Sequence, residues 1–168
     1  MIIGIGGASR SGKSRLAKEI KSQLIGKSVN IIDQDDFAKP ENQIPKINSI
    51  TDWEHPSSID FKKLEDEILW SNSQFDYTIV EGFLIYYNQN IKNSIDIKIF
   101  LSIDEPIFLM RKVHDQRWGK TPVFYIDHIW KSYLKYGILK QKDVDLFLNA
   151  NDEELPKIDI SEVIRHHS

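Results

Sequence analysis

Residues 6–14, GGASRSGKS, follow directly on the apolar opening MIIGI and lead into an amphipathic helical stretch. Bulkier side chains would pack better at a strand-to-helix corner, so this run of small residues ending in a lysine needs a reason. Gly7, Gly12, Lys13 and Ser14 fit the spacing G-x-x-x-x-G-K-[ST], and they sit between a strand and a helix, where that motif has to sit to work. Glycines let the backbone curl until successive N–H groups point inward at phosphate oxygens, and the helix that follows adds the positive end of its dipole. The spacing therefore predicts a triphosphate cradle made of Gly7, Ala8, Ser9, Arg10, Ser11, Gly12, Lys13, Ser14 and Arg15. In such a cradle Lys13 reaches the β- and γ-phosphates and the Ser14 hydroxyl ligates a divalent cation. The small residues Gly6, Gly7 and Ala8 are expected to leave room for phosphate. A tight turn before an ordinary helix is the plainer alternative.

Outward from this corner, strand-like runs recur at 2–6, 29–33, 77–81, 96–103 and 143–149, rich in Ile, Val and Phe as strands buried on both faces are. Helical patterns fill the gaps. Ser57 with Asp60 resembles a capping box ahead of Phe61, Leu64 and Ile68. Asp104 can cap a helix with Pro106 in its first turn. A third helix carries Ile126, Ile129, Trp130, Tyr133 and Leu134 before Gly137. The alternation predicts an α/β fold with a five-stranded parallel sheet and helices on both faces. Stretches 38–56 and 117–123 read as irregular.

The 168 residues, 40% of them hydrophobic, suit one domain spanning 1–168. With 22 Lys and Arg against 25 Asp and Glu, the net charge of −3 gives no broad footprint for nucleic acid or an anionic membrane. Cysteine is absent, which removes disulfides and thiol chemistry, and no apolar run approaches the ~20 residues that span a bilayer. A cytoplasmic chain with no membrane and no obligate protein partner is the expectation. The five histidines share no metal-ligand spacing.

Parallel sheets of this kind bind ligands beyond the carboxyl ends of their strands. The second strand ends in DQDDF, with Asp33, Asp35 and Asp36, and the third in VEGF, with Glu81 before a glycine expected to be flexible. Phosphoryl transfer needs one carboxylate to take the proton of the attacking hydroxyl and one to hold Mg²⁺ or its waters. Asp35 and Glu81 are the candidates, whereas Asp33 and Asp36 suit a solvated turn or a helix cap equally well. Arg111, Lys112, Arg117 and Lys120 surround a Gly/Pro-bounded break. Arg111 and Arg117 are candidate lid arginines that neutralise charge on the transferred group, on a lid over about 112–124. Lys112 and Lys120 read as cations at a helix C-terminus.

Taken together, IGIGGASRSGKSRLAK, IIDQDDFAKPE, DWEHPSSIDF, IVEGFLIYYN and HIWKSYLKYG resemble the nicotinamide riboside kinases, within the uridine kinase and phosphoribulokinase group of P-loop kinases. The resemblance covers residues 2 to about 137 and implies a P-loop NTPase-type three-layer sandwich with a short lid. It also implies ATP and Mg²⁺ as cofactors and transfer of the γ-phosphate to the 5′-hydroxyl of a small-molecule riboside. Asp35 then matches the carboxylate at the sugar hydroxyl, and Glu81 a second acid near a metal held by Ser14, Asp35 and Glu81. Trp53 and Glu54 fall where the family places an aromatic against the base and an acid on the ribose hydroxyls. A Trp face and a carboxylate are favourable partners for the pyridinium of nicotinamide riboside. Trp53 suits a packing role equally.

Two features depart from the family. Glu54 replaces the usual Asp, and RWGKTPVFYID lacks the longer family stretch with its base-stacking tyrosine, for which Trp118, Phe124 or Tyr125 can substitute. The short 38–56 segment leans toward the nicotinamide type. Uridine or cytidine kinase, another small-molecule kinase on this scaffold, and a slow or non-catalytic nucleotide switch are the alternatives. The last is disfavoured by the absence of an N-K-x-D guanine-reading element.

Overall fold

The computed structural model describes residues 1–115, 119 and 121–167. In chain order its elements are β1 (Ile2–Gly7), α1 (Lys13–Gln23), β2 (Val29–Asp33), β3 (Lys46–Ile47), β4 (Ile50–Thr51), α2 (Phe61–Gln74), β5 (Tyr77–Gly82), α3 (Gln89–Ser94), β6 (Ile97–Ser102), α4 (Glu105–Val113), α5 (Val123–Ser132), β7 (Leu146–Asn149) and α6 (Ile160–Arg165). The five longer strands form one parallel sheet in the order β2-β5-β1-β6-β7. All five match the strand-like runs read from sequence, because strands buried on both faces advertise themselves as continuous apolar runs.

The sheet separates two cores. On one face Ile3 and Ile5 meet Leu16, Ala17 and Ile20 of α1 and Ile160 of α6. On the other, Ile2, Val80 and Phe100 meet Leu64 and Ile68 of α2, Ile91 of α3, Phe108 of α4 and Ile129 and Trp130 of α5. Alternate side chains of β1 serve opposite faces, so Gly4 and Gly6 fall on the second face. Tyr86 fills the space they leave, and its hydroxyl donates between the carbonyls of Gly4 (2.7 Å) and Ile99 (3.0 Å).

Several local expectations change. A side chain on Gly6 would overlap the Tyr86 ring, so this glycine serves packing and not phosphate. Gly82 is not a flexible joint, since the buried Gln34 lies against it. The α2 cap is Asp60, which accepts the Lys63 N–H at 3.2 Å. Ser57 belongs to the 3₁₀ turn Pro56–Ser58, where its N–H goes to the His55 ring. Asp104 occupies the cap position of α4 but its carboxylate accepts from Asn151 instead, at 2.8 Å. The third helix ends at Ser132 and continues as a π-helical turn, Tyr133–Gly137. The irregular 38–56 stretch contains the β3–β4 hairpin, closed by Asn48 and Ser49 at φ 47° and 66°. Of the expected lid, Gln116, Arg117, Trp118 and Lys120 lie outside the described residues; 112–113 end α4 and 123–124 begin α5.

Placing a methyl group under Tyr86 is an overpacking change, so Gly6→Ala is expected to cost about 1–3 kcal/mol. Urea denaturation checks this, and a second substitution trimming Tyr86 to Leu should recover part of the loss; no loss in the single variant refutes the packing role.

Candidate functional site

The loop between β1 and α1 is shaped by backbone that other residues adopt poorly. Gly7 has φ 148°, and a Cβ there would stand 2.5 Å from the Leu101 carbonyl oxygen. Gly12, at φ 96°, introduces the first turn of α1, and its carbonyl accepts the Leu16 N–H at 2.9 Å. Arg10 also takes a positive φ of 66°. Within this curl Lys13 Nζ donates to the Ala8 carbonyl at 3.0 Å, so the ammonium lies over the loop. Ser11 Oγ is buried without a hydrogen-bond partner among the described residues. An orphaned buried hydroxyl in this loop fits a polar guest.

The sheet register brings the acids to this loop. Asp33 of β2 stands level with Glu81 of β5, and Glu81 level with Ile5 of β1. Glu81 is 3% exposed. Burial pushes its carboxyl up; Lys13 and a hydrogen bond from Ser14 oppose the shift, and Asp33 and Asp35 add to it. Asp33 is spent locally, accepting the Asp35 N–H at 2.9 Å to cap the 3₁₀ turn Gln34–Phe37. Gln34 Oε1 accepts the Leu84 N–H at 2.7 Å, which fastens this turn to β5. Asp35 and Asp36 project from the turn and are exposed.

Glu54 approaches from the segment after the hairpin. Its carboxyl, raised to about 7, is shifted chiefly by burial and then by Asp35 and Asp52, with Lys112 and Lys13 pulling the other way. The same interactions place Asp35, Lys13 and Glu54 in one electrostatic neighbourhood. Trp53, 44% exposed, is not part of the core.

The basic residues divide. Arg111 of α4 donates through Nη1 to the carbonyls of Arg10 (3.3 Å) and Ala150 (2.8 Å) and through Nη2 to those of Asn151 (2.9 Å) and Asp152 (2.7 Å). The expectation of a lid cation is corrected: Arg111 is a clamp between the phosphate loop and the segment after β7. Arg15 turns to the same segment, donating to the Glu153 carbonyl at 2.9 Å. Arg117 and Trp118 lie outside the described residues. Lys112, read from sequence as a helix-end cation, does lie in the last turn of α4, and it is also buried, 3.5 Å from the buried Asp115 and within electrostatic reach of Glu54. Its signal was a lysine one turn beyond Phe108, on the apolar stripe of α4.

For a divalent cation the chemistry is suitable, since the Ser14 hydroxyl and the Glu81 carboxylate are neighbours and both are hard oxygen donors. Among the described residues no group of three or more His, Asp or Glu side chains converges on a metal site. No helix among them is long and apolar enough to cross a membrane.

No family model matches the chain. It is 30% identical over 162 residues to a uridine kinase of Chlamydia pneumoniae, covering 80% of this chain and 71% of that protein. A uridine kinase of Ligilactobacillus salivarius is 28% identical over 138 residues, 67% of this chain, and the chain spans 65% of its length. Nicotinamide riboside kinase 1 of Homo sapiens is 28% identical over 152 residues, covering 80% and 75%. Among solved structures, an unliganded sugar kinase from Janibacter sp. HTCC2649 superposes with a TM-score of 0.59 at 15% identity, over 98% of this chain and 90% of that one, a likeness of fold alone.

The raised Glu54 carboxyl makes a linkage prediction. Between 4.5 and about 7 the folded chain holds a proton that the unfolded chain releases, so this residue's contribution to stability declines as pH rises through that window. Glu54→Gln is therefore expected to raise Tm relative to the parent at about pH 8 and to lose that advantage near pH 4. An equal difference at both pH values, measured by differential scanning calorimetry, contradicts desolvation of this carboxyl.

Proposed function

The chain belongs to the uridine kinase family, and from that premise we propose that it transfers the γ-phosphate of ATP to the 5′-hydroxyl of a riboside, with nicotinamide riboside as the preferred acceptor. The observation that carries the reading is the convergence of the glycine-shaped loop, Lys13 and the carboxylates of Asp35, Glu81 and Glu54 at one end of the sheet.

In the proposed reaction residues 7–14 bind the ATP phosphates, and Lys13 exchanges its loop carbonyl for β- and γ-oxygens. Asp35, exposed at the rim, accepts the proton of the riboside hydroxyl as that oxygen attacks phosphorus in line. The new O–P bond forms as the bond to the β–γ bridging oxygen breaks, and ADP leaves with that electron pair. Ser14, Asp35 and Glu81 are the residues that would hold Mg²⁺, which supplies neutralisation of the phosphate oxygens. Arg111 contributes by fixing the loop and not by touching the transferred group.

On the acceptor side, Glu54 receives the ribose hydroxyls and Trp53 offers its face to the base. A half-exposed indole beside a carboxylate with no hydrogen bond to described residues suits a pyridinium cation better than a neutral pyrimidine. A second reading, phosphorylation of uridine or cytidine, is favoured by the 30% identity to a uridine kinase.

ADP release measured separately with nicotinamide riboside, uridine and cytidine tests the proposal. The highest kcat/KM is expected with nicotinamide riboside; preference for uridine overturns the assignment of the base, and nucleotide binding without riboside-dependent ADP release overturns the kinase reading. Asp35→Ala is expected to lower kcat by about 10²–10⁴-fold while leaving ATP affinity intact, the range for loss of a general base. Lys13→Ala should abolish turnover and weaken ATP binding as well. Full activity in the Asp35 variant removes it from the base role.

A further inference from the structure

The segment after β4 carries Trp53 and Glu54 but little regular structure, and α5 holds it by its backbone. The Tyr125 hydroxyl accepts the Trp53 N–H at 3.0 Å and donates to the Thr51 carbonyl at 3.0 Å. Three residues along the same helix, His128 Nε2 stands 2.7 Å from Asp52 Oδ1. That same oxygen accepts the Glu54 N–H at 3.2 Å. From the other side Ser58 Oγ donates to the Trp53 carbonyl at 2.8 Å. Asp52 and Tyr125 are buried, and the histidine–carboxylate pair borders a cavity of about 210 Å³ shared with His55, Lys131 and Ser132.

The Glu54 carboxylate has no hydrogen bond to described residues to set its direction, so the direction has to come from its backbone. The Glu54 N–H is held by the Asp52 carboxylate and that carboxylate by the imidazole, while the Asp52 N–H is held separately by the Pro45 carbonyl at 2.8 Å. Without the ring, a buried carboxylate would lose its neighbour and be drawn toward water, taking the Glu54 amide with it. A side chain one bond removed from the ligand can in this way decide how well a site is formed.

We propose that His128 is a positioning residue for the acceptor: through Asp52 it fixes Glu54 and Trp53 in the orientation that receives the riboside. Tyr125 provides the parallel hold on Trp53. The kinetic consequence rests on the riboside reading of this site, whereas the anchoring does not.

The test compares His128→Ala and His128→Gln in the full chain, by steady-state kinetics with nicotinamide riboside and uridine and by amide hydrogen exchange over residues 51–55 without ligand. His128→Ala is expected to raise the riboside KM about tenfold, as for one hydrogen bond to a charged group, with kcat and the ATP KM held within about twofold. Exchange at the Trp53 and Glu54 amides should accelerate. His128→Gln, whose amide N–H can reach Asp52, should recover most of both effects. An unchanged riboside KM in the Ala variant, an equal loss in kcat and ATP KM, or a Gln variant no better than Ala overturns the proposal. Should the parent chain release no ADP with any riboside, the kinase reading falls and exchange alone decides: acceleration in Ala but not in Gln upholds the anchoring, and no acceleration refutes it.

Discussion

The arrangement depends on one carboxylate being kept out of water. Glu81 ends the strand beside β1, and a buried acid is tolerated only where cations and hydrogen-bond donors offset its lost hydration. Lys13 and Ser14 meet that demand, and both come from the first turn of α1. For them to arrive, the chain must leave β1 through a tight curl, which is what the positive φ values of Gly7, Arg10 and Gly12 provide. The phosphate loop and the acidic strand end are therefore two halves of one electrostatic solution, brought level by the β1–β5 register.

What could be read from the chain and what could not differ by the range of the interactions involved. The five strands, α1 and the loop were legible because apolar runs and glycine spacing report on neighbours within a few residues. The strand-end acids were legible because a parallel sheet puts its carboxyl ends together. Gly6 was misread because its reason is Tyr86, eighty residues away and reaching back across the sheet. The partners of Arg111 and Lys112 were hidden for the same kind of reason, although Lys112 does end α4 as its spacing suggested. Helix-end cations are the commoner case, and only the fold reveals that one meets four carbonyls and the other a buried Asp115. The β3–β4 hairpin left a faint local sign, Asn48-Ser49 between β-branched residues, a pairing that suits a two-residue turn.

The segment that carries Trp53 and Glu54 is held on different terms from the loop around Lys13. The loop around Lys13 is shaped by its own backbone geometry and by the Arg111 clamp, whereas the segment 51–55 is held by Tyr125 and His128 of α5 together with Ser58 and the Pro45 carbonyl. Burial and the neighbouring Asp35 push the Glu54 carboxyl up to about 7.

The grip of Arg111 and Arg15 on the carbonyls of residues 150–153 also bears on the birth of the protein. The Arg15–Glu153 bond closes a sequence separation of 138 residues, so the outer wall of the phosphate loop cannot dock until almost the whole chain has left the ribosome. Contacts of such long range form late. The loop is translated among the first residues, whereas the carbonyls that Arg111 and Arg15 hold at 150–153 are among the last.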